Sequence, residues 1–142
     1  MADQWQELFD ALERLKAKWP APDWTYDRRL KCVASSIPIN LEAGARAAMT
    51  EVLPTSWSSQ TLADAPENVR KLAEGCGGVR SSQLLFWGGG AAVGAFGLWW
   101  PWGDGMTVSL RIGLHDVALP KEHYPKLRDI FGIPQTTGAA AT

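Results

Sequence analysis

The stretch that decides the fold is residues 79–114, which reads VRSSQLLFW, GGG, AAVGAFGLWWPW, GDG and MTVSLRIGL in five successive segments. In the last segment apolar residues recur at every second position, which predicts a strand with one buried face. The inward set is Met106, Val108, Leu110, Ile112 and Leu114. The two glycine-rich segments are typical of turns, so we predict antiparallel strands at 79–87, 92–100 and 106–114.

The same stretch has an unusual composition. Ten of the fourteen glycines and four of the eight tryptophans lie between residues 75 and 105. The uncharged run 81–103 is long enough to span a membrane, but its glycines and proline leave too little apolar content for insertion. The glycines also lack the spacings of phosphate-binding loops. We therefore interpret this run as a buried hairpin.

Helical patterns flank the predicted sheet. Apolar residues at steps of three and four predict a first helix between Asp3, its expected cap, and Pro20. The next elements expected are a strand at 27–37, a helix at 41–53 capped by Asn40, and a loop at 54–64. A third helix should begin with an Asp64–Glu67 capping box and reach residue 74, and a short helix at 125–131 should end at Gly132.

These elements predict an α+β fold. We expect an antiparallel sheet of three to five strands, centred on the Trp- and Gly-rich hairpin, with N-terminal, middle and short C-terminal helices packed against it. A length of 142 residues is typical of one domain. We assign that domain to residues 1–134 and a disordered tail to residues 135–142.

Charge and composition restrict the partners. Fourteen basic and fifteen acidic residues give a net charge of -1, which argues against a nucleic-acid partner. The N-terminal residues MADQWQELFD lack the signal-peptide pattern. We therefore expect a soluble cytoplasmic protein that does not bind membranes, and a homo-oligomer is compatible with this composition.

Four tryptophans are the candidate binding residues: Trp87, Trp99, Trp100 and Trp102. Trp99 and Trp100 are consecutive, so in a regular strand their side chains point to opposite faces. One of them must then be covered by a helix, by a partner or by a ligand such as a carbohydrate or a cation. Because tryptophan is common among interface anchors, we expect the outlying ring, with Trp102 beside it, to bind a protein.

Catalytic signals are weak. Neither His115 nor His123 belongs to an HExxH motif, and no GxSxG motif is present. Cys32 and Cys76 lack the closely spaced Cys or His companions of a zinc site, and whether they pair with each other stays open. We predict no catalytic residue, no metal and no cofactor.

By elimination, the sequence favours a non-catalytic protein-binding or neutralising accessory protein. An immunity protein that blocks a toxin is one example, because such a role needs only a stable domain and a shaped surface. The alternative is a small-molecule-binding protein or an enzyme. Its pocket would be lined by tryptophans and edged by His115 or His123.

Overall fold

The computed structural model describes residues 4–20, 24–89, 93–116 and 123–133. The described residues form four α-helices: α1 (Gln4–Lys18), α2 (Glu42–Val52), α3 (Glu67–Gly75) and α4 (His123–Ile130). They also form six strands: β1 (Thr25–Asp27), β2 (Cys32–Pro38), β3 (Thr55–Trp57), β4 (Leu84–Gly89), β5 (Val93–Pro101) and β6 (Thr107–Asp116). The predicted tail, 135–142, and the predicted cap Asp3 lie outside the described residues.

All six strands belong to one antiparallel sheet with the order β1-β2-β6-β5-β4-β3. The α+β class and the antiparallel sheet are confirmed, whereas the predicted number of three to five strands is wrong. Residues 90–92, between β4 and β5, lie outside the described residues. The middle of the sheet is the β5–β6 pair, which aligns nine residues of β5, Val93 to Pro101, with β6.

The two strands that the prediction missed are the edge strands, and each has three residues. The predicted strand 27–37 begins too early: β2 starts at Cys32, because residues 28–31 form a turn in which Lys31 adopts a left-handed φ of 57°. β1 lies before this turn and shares only Asp27 with the prediction. β3 lies inside the segment predicted as a loop at 54–64. A three-residue strand is too short to show an alternating pattern, which explains both errors.

Helices cover the two faces of the sheet unequally. The larger core joins α1, α2 and α4 to one face, with Leu12, Leu15 and Trp99 fully buried. The smaller core joins α3 to the opposite face through Val69, Phe96 and other residues. β5 is therefore buried on both faces, which accounts for its uncharged sequence. Among the described residues, no helix is long and apolar enough to cross a membrane.

A glycine sets the distance between β5 and α2. A Cβ atom at Gly97 would lie 2.4 Å from Met49 Cε and 3.3 Å from Leu53 Cδ1. The contact at 2.4 Å is shorter than real Cβ atoms tolerate, so a side chain there would push against α2. The glycine-rich composition of β5 thus serves close packing of a helix on the sheet.

Several predicted boundaries need correction. β4 begins at Leu84 instead of residue 79, because residues 81–82 form a turn in which Ser82 has a φ of 73°. A short 3₁₀ turn at Ile39–Leu41 precedes α2, and Leu41 occupies the cap position predicted for Asn40. The predicted capping box of α3 does not form, since Pro66 occupies the cap position without a side-chain hydrogen bond.

Candidate functional site

Trp99 belongs to the core. Its side chain is fully buried on the face covered by α1 and α2, with the Phe86 ring at a centroid distance of 6.0 Å. The guanidinium of Arg46 lies 5.6 Å from the centre of the Trp99 ring. The indole Nε1 has no hydrogen-bond partner. Trp99 is therefore inaccessible to a partner in this conformation.

Trp87 lies on the opposite face, in the smaller core, with 6% of its surface exposed. Its ring packs against the His115 ring at a centroid distance of 5.2 Å. His115 lines a cavity of about 420 Å³ with four residues of α3: Glu67, Asn68, Lys71 and Leu72. The Nε2 atom of His115 is buried and has no hydrogen-bond partner.

Trp100 points to the face opposite Trp99 and packs against the smaller core. The guanidinium of Arg111 stacks on its ring at 4.9 Å. Arg111 also donates hydrogen bonds from Nε to Asp27 Oδ2 at 2.8 Å and from Nη1 to Ser109 Oγ at 2.9 Å. The hydrogen bond from Arg111 holds the pKa of Asp27 below its ordinary value. Trp100 is thus half-covered by its own chain, and Arg111 is already engaged.

Trp102 is the exposed member of the set, with 51% of its surface accessible. Met106 and Ile39, with 66% and 42%, are the other large apolar side chains that are exposed in the described part of the chain. Ile39 N–H donates to Met106 O at 2.7 Å, and Trp102 N–H donates to Thr107 O at 2.8 Å. These backbone hydrogen bonds place all three residues at the same end of the sheet, and we call Ile39, Trp102 and Met106 the apolar end.

The turn that carries the apolar end is fixed by Asp104. Its Oδ1 accepts hydrogen bonds from the N–H of Met106 at 2.8 Å and the N–H of Thr107 at 3.1 Å. Its Oδ2 accepts a third hydrogen bond from Thr107 Oγ1 at 3.2 Å. Gly105 completes the turn with a φ of 69°, which glycine adopts without a steric penalty. The positions of Trp102 and Met106 are thus set before any partner arrives.

The sequence predicted a different environment for Met106, which it placed in the inward stripe of β6. Val108, Leu110, Ile112 and Leu114 are buried as predicted, but Met106 is not. Alternation identifies the side on which a residue lies and not whether a helix covers it there. Ile39 was missed because it directly follows a strand; an apolar residue after Pro38 was the available signal.

The two histidines are not brought together. His123 begins α4 and packs against two rings of α1, with centroid distances of 4.3 Å to Trp5 and 5.3 Å to Phe9. His115 instead contacts Trp87 on the face of the sheet that α3 covers. The pair proposed as alternative pocket residues therefore belongs to two separate sites.

Both cysteines are free thiols. Burial raises the pKa of Cys32, whose side chain is fully buried, and burial also raises the pKa of the half-buried Cys76. A raised pKa disfavours the thiolate, which is the nucleophilic form. Within the described residues, no group of three or more His, Cys, Asp or Glu side chains is arranged to hold a metal ion.

In comparisons with known protein families, with curated proteins and with solved structures, this chain has no match.

Proposed function

We propose that this chain is a non-catalytic protein-binding protein and that it docks its partner on the apolar end. The observation that carries the proposal is the grouping of Ile39, Trp102 and Met106, three large apolar side chains that are exposed at the same end of the sheet. Single exposed apolar residues are common on protein surfaces, but a group of them is typical of an interaction site.

Trp102 is the expected anchor of the interface. Tryptophan is enriched among the residues whose truncation costs most binding energy, and it loses little conformational freedom because it has two side-chain torsions. Trp87 and Trp99, which the sequence also nominated, are buried and contribute to stability instead. The fixed turn around Asp104 lowers the entropic cost of binding, since the backbone of Trp102 and Met106 is already ordered.

Neutralisation of another protein, such as a toxin, is one form that this role can take. It requires a stable body and a complementary surface, and no catalytic group on the neutraliser itself. The raised pKa of the Cys76 thiol and the burial of Cys32 agree with a role that uses neither as a nucleophile.

The test begins with the partner that co-purifies with the chain from its native host. Its Kd for the wild-type chain is compared with its Kd for Trp102→Ala and Met106→Ser, with thermal unfolding measured on the same preparations. Loss of a central anchor costs about 2 kcal/mol or more, so we expect Trp102→Ala to raise the Kd by roughly thirtyfold or more. Met106→Ser should raise it by a smaller factor.

The matched control is Glu13→Ala, an exposed residue on α1, which should leave the Kd unchanged. An unchanged Kd for both Trp102→Ala and Met106→Ser in folded protein would refute the apolar end as the docking surface. Sedimentation of the purified chain measures its oligomeric state and so tests whether the apolar end binds a second copy of the chain. If the chain dimerises and Trp102→Ala makes it monomeric, the end is a contact between copies.

A second candidate, binding of a small molecule beside His115, is favoured by one observation. The cavity of about 420 Å³ lies within the usual size range of ligand pockets, and His115 Nε2 is a buried polar atom without a partner. No tryptophan is among the described residues that line this cavity. His115→Gln should leave the affinity for the protein partner intact. Loss of that affinity with unchanged stability would move the proposed docking surface from the apolar end to His115.

A further inference from the structure

A second cleft, of about 340 Å³, lies near the far end of β6 from the apolar end. Three exposed cations surround it: Arg29 and Lys31 from the turn between β1 and β2, and Lys71 from α3. The buried ring of Phe96, from the smaller core, also lines it, as does Leu114 near the end of β6. We call this site the cationic cleft.

The charged residues that line the cleft are all positive. None of its described lining residues is acidic. Lys71 has Glu67 at 3.4 Å, but both side chains are more than two thirds exposed, and such pairs stabilise a protein little. No ion pair joins Arg29 or Lys31 to another described residue. Three positive charges around one opening produce a local potential that attracts anions.

The turn that carries Arg29 and Lys31 is held in place by Asp27. Asp27 Oδ1 accepts a hydrogen bond from Leu30 N–H at 3.1 Å, and Asp27 Oδ2 is fixed by Arg111. Lys31 occupies the left-handed region with a φ of 57°, which is strained for a residue with a Cβ atom, and its ammonium lies 5.1 Å from the centre of the Tyr124 ring. The backbone of this turn and the Lys31 ammonium are therefore positioned before any ligand binds.

The apolar walls distinguish this site from one for a bare inorganic anion. Leu30 and Leu72, both partly buried, line the cleft and pack against the smaller core, to which Phe96 belongs. The last carbonyls of α3 do not oppose an anion strongly, because those of Leu72 and Ala73 accept hydrogen bonds from the N–H groups of Cys76 and Gly78. A ligand with an apolar body and an anionic head matches both parts of the cleft.

We propose that the cationic cleft binds a small amphipathic anion, namely a carboxylate with an apolar tail. The tail lies on Phe96 between Leu30 and Leu72, and the carboxylate faces Arg29 and Lys31. This site is independent of the proposed docking of a protein on the apolar end, so either proposal can fail without the other.

Cys76 provides the readout, because its half-buried thiol lines the cleft whereas the other free thiol, Cys32, is fully buried. The rate of Cys76 alkylation by N-ethylmaleimide is followed by mass spectrometry as octanoate is added below its micellar concentration. Saturation at about ten times the Kd should slow alkylation about tenfold. Octan-1-ol, which has the same tail without the charge, and inorganic phosphate, which has charge without a tail, should protect much less.

Substitution of the cations tests whether they are responsible for the octanoate protection of Cys76. Arg29→Gln and Lys31→Gln should each raise the octanoate Kd by about three- to tenfold, because each removes one charged contact. Arg14→Gln, an exposed cation on α1, is the matched control and should leave the Kd unchanged. The proposal is overturned if octanoate gives no saturable protection, if octan-1-ol or phosphate protects equally well, or if the Arg29 and Lys31 variants bind octanoate as tightly as wild type.

Discussion

The two ends of the sheet use the same local device to present opposite chemistry. At the apolar end, the Asp104 carboxylate accepts backbone N–H groups and fixes the turn that carries Trp102 and Met106. At the cationic cleft, the Asp27 carboxylate accepts Leu30 N–H and fixes the turn at residues 28–31. Asp27 is also paired with Arg111, whereas Asp104 has no ion pair with any described residue. At each end, an aspartate thus fixes the backbone of a turn, and the side chains on and around that turn determine which kind of ligand the end can bind.

The region between the two ends is the packed centre of the sheet, which we call the spacer. β5 is buried on both faces, with Trp99 in the larger core and Trp100 packed against the smaller one. Arg111 of β6 connects β5 to β1, since its guanidinium stacks on Trp100 and donates a hydrogen bond to Asp27. Changes in the spacer should therefore affect both ends, and changes at one end should leave the other intact.

The largest expected effect comes from breaking the spacer itself. Leu12→Asp places a carboxylate at a fully buried position of α1 that contacts the larger core. An unpaired buried charge is among the most damaging substitutions, so we expect the free energy of unfolding to fall by about 4 kcal/mol or more. Urea denaturation measures the loss, and both partner binding and octanoate protection should disappear with it. Wild-type stability in this variant would contradict the position of α1.

The second prediction concerns the pH dependence of stability, to which the Asp27–Arg111 pair near the cationic cleft contributes. Because Arg111 lowers the pKa of Asp27 in the folded protein, the pair stabilises the fold above the unfolded pKa of about 3.9. That stabilisation is lost as the pH falls through the lowered folded pKa. Between about pH 5 and about pH 2, wild type should lose roughly 1 to 2 kcal/mol more stability than Asp27→Asn.

Arg111→Met tests whether the Asp27–Arg111 pair is the cause, since removing the cation should abolish the same pH-dependent part of the free energy of unfolding. Parallel stability curves for wild type and both variants in urea titrations would show that the pair does not contribute. At neutral pH, Asp27→Asn should weaken octanoate protection of Cys76 by loosening the turn that holds Lys31. It should leave partner affinity at Trp102 unchanged.

A smaller effect is expected from the thiols. The Cys32→Ser and Cys76→Ser double substitution should cost about 1 kcal/mol, mainly at Cys32, where a polar hydroxyl enters a buried site. Serine can still donate to Leu30 O, which Cys32 Sγ contacts at 3.3 Å. Partner binding by the folded double variant should match wild type in the same titration. Complete loss of binding would restore a role for a thiol.

The sequence predicted the elements that repeat a strong pattern. The alternation of β6 and the helical stripe of α1 both extend over several periods, and the opposite directions of Trp99 and Trp100 follow from strand geometry. β1 and β3 were missed because three residues hold no complete pattern. Asn40 was misassigned as a cap because a 3₁₀ turn intervenes before α2.

The candidate sites were harder to predict than the elements. The exposure of Met106 depends on where the helical layer ends, and alternation within β6 contains no information about that layer. The cationic cleft combines Arg29 and Lys31 with Lys71 from a distant helix, and the DRRLK segment alone reads as the start of a strand. Contacts between distant segments set both sites, so local patterns could not identify them.

The smallest expected change in stability is at the apolar end. Trp102 is half-exposed, so replacing it with alanine removes less buried surface than at a core position and leaves no enclosed cavity. We expect the free energy of unfolding to fall by no more than about 1 kcal/mol. Trp99→Ala is the contrast, because it opens a cavity in the larger core and should cost about 3 to 5 kcal/mol. Urea denaturation of both variants measures the difference. If Trp102→Ala destabilised the protein as much as Trp99→Ala, its ring would belong to the fold, and the apolar end would lose its anchor.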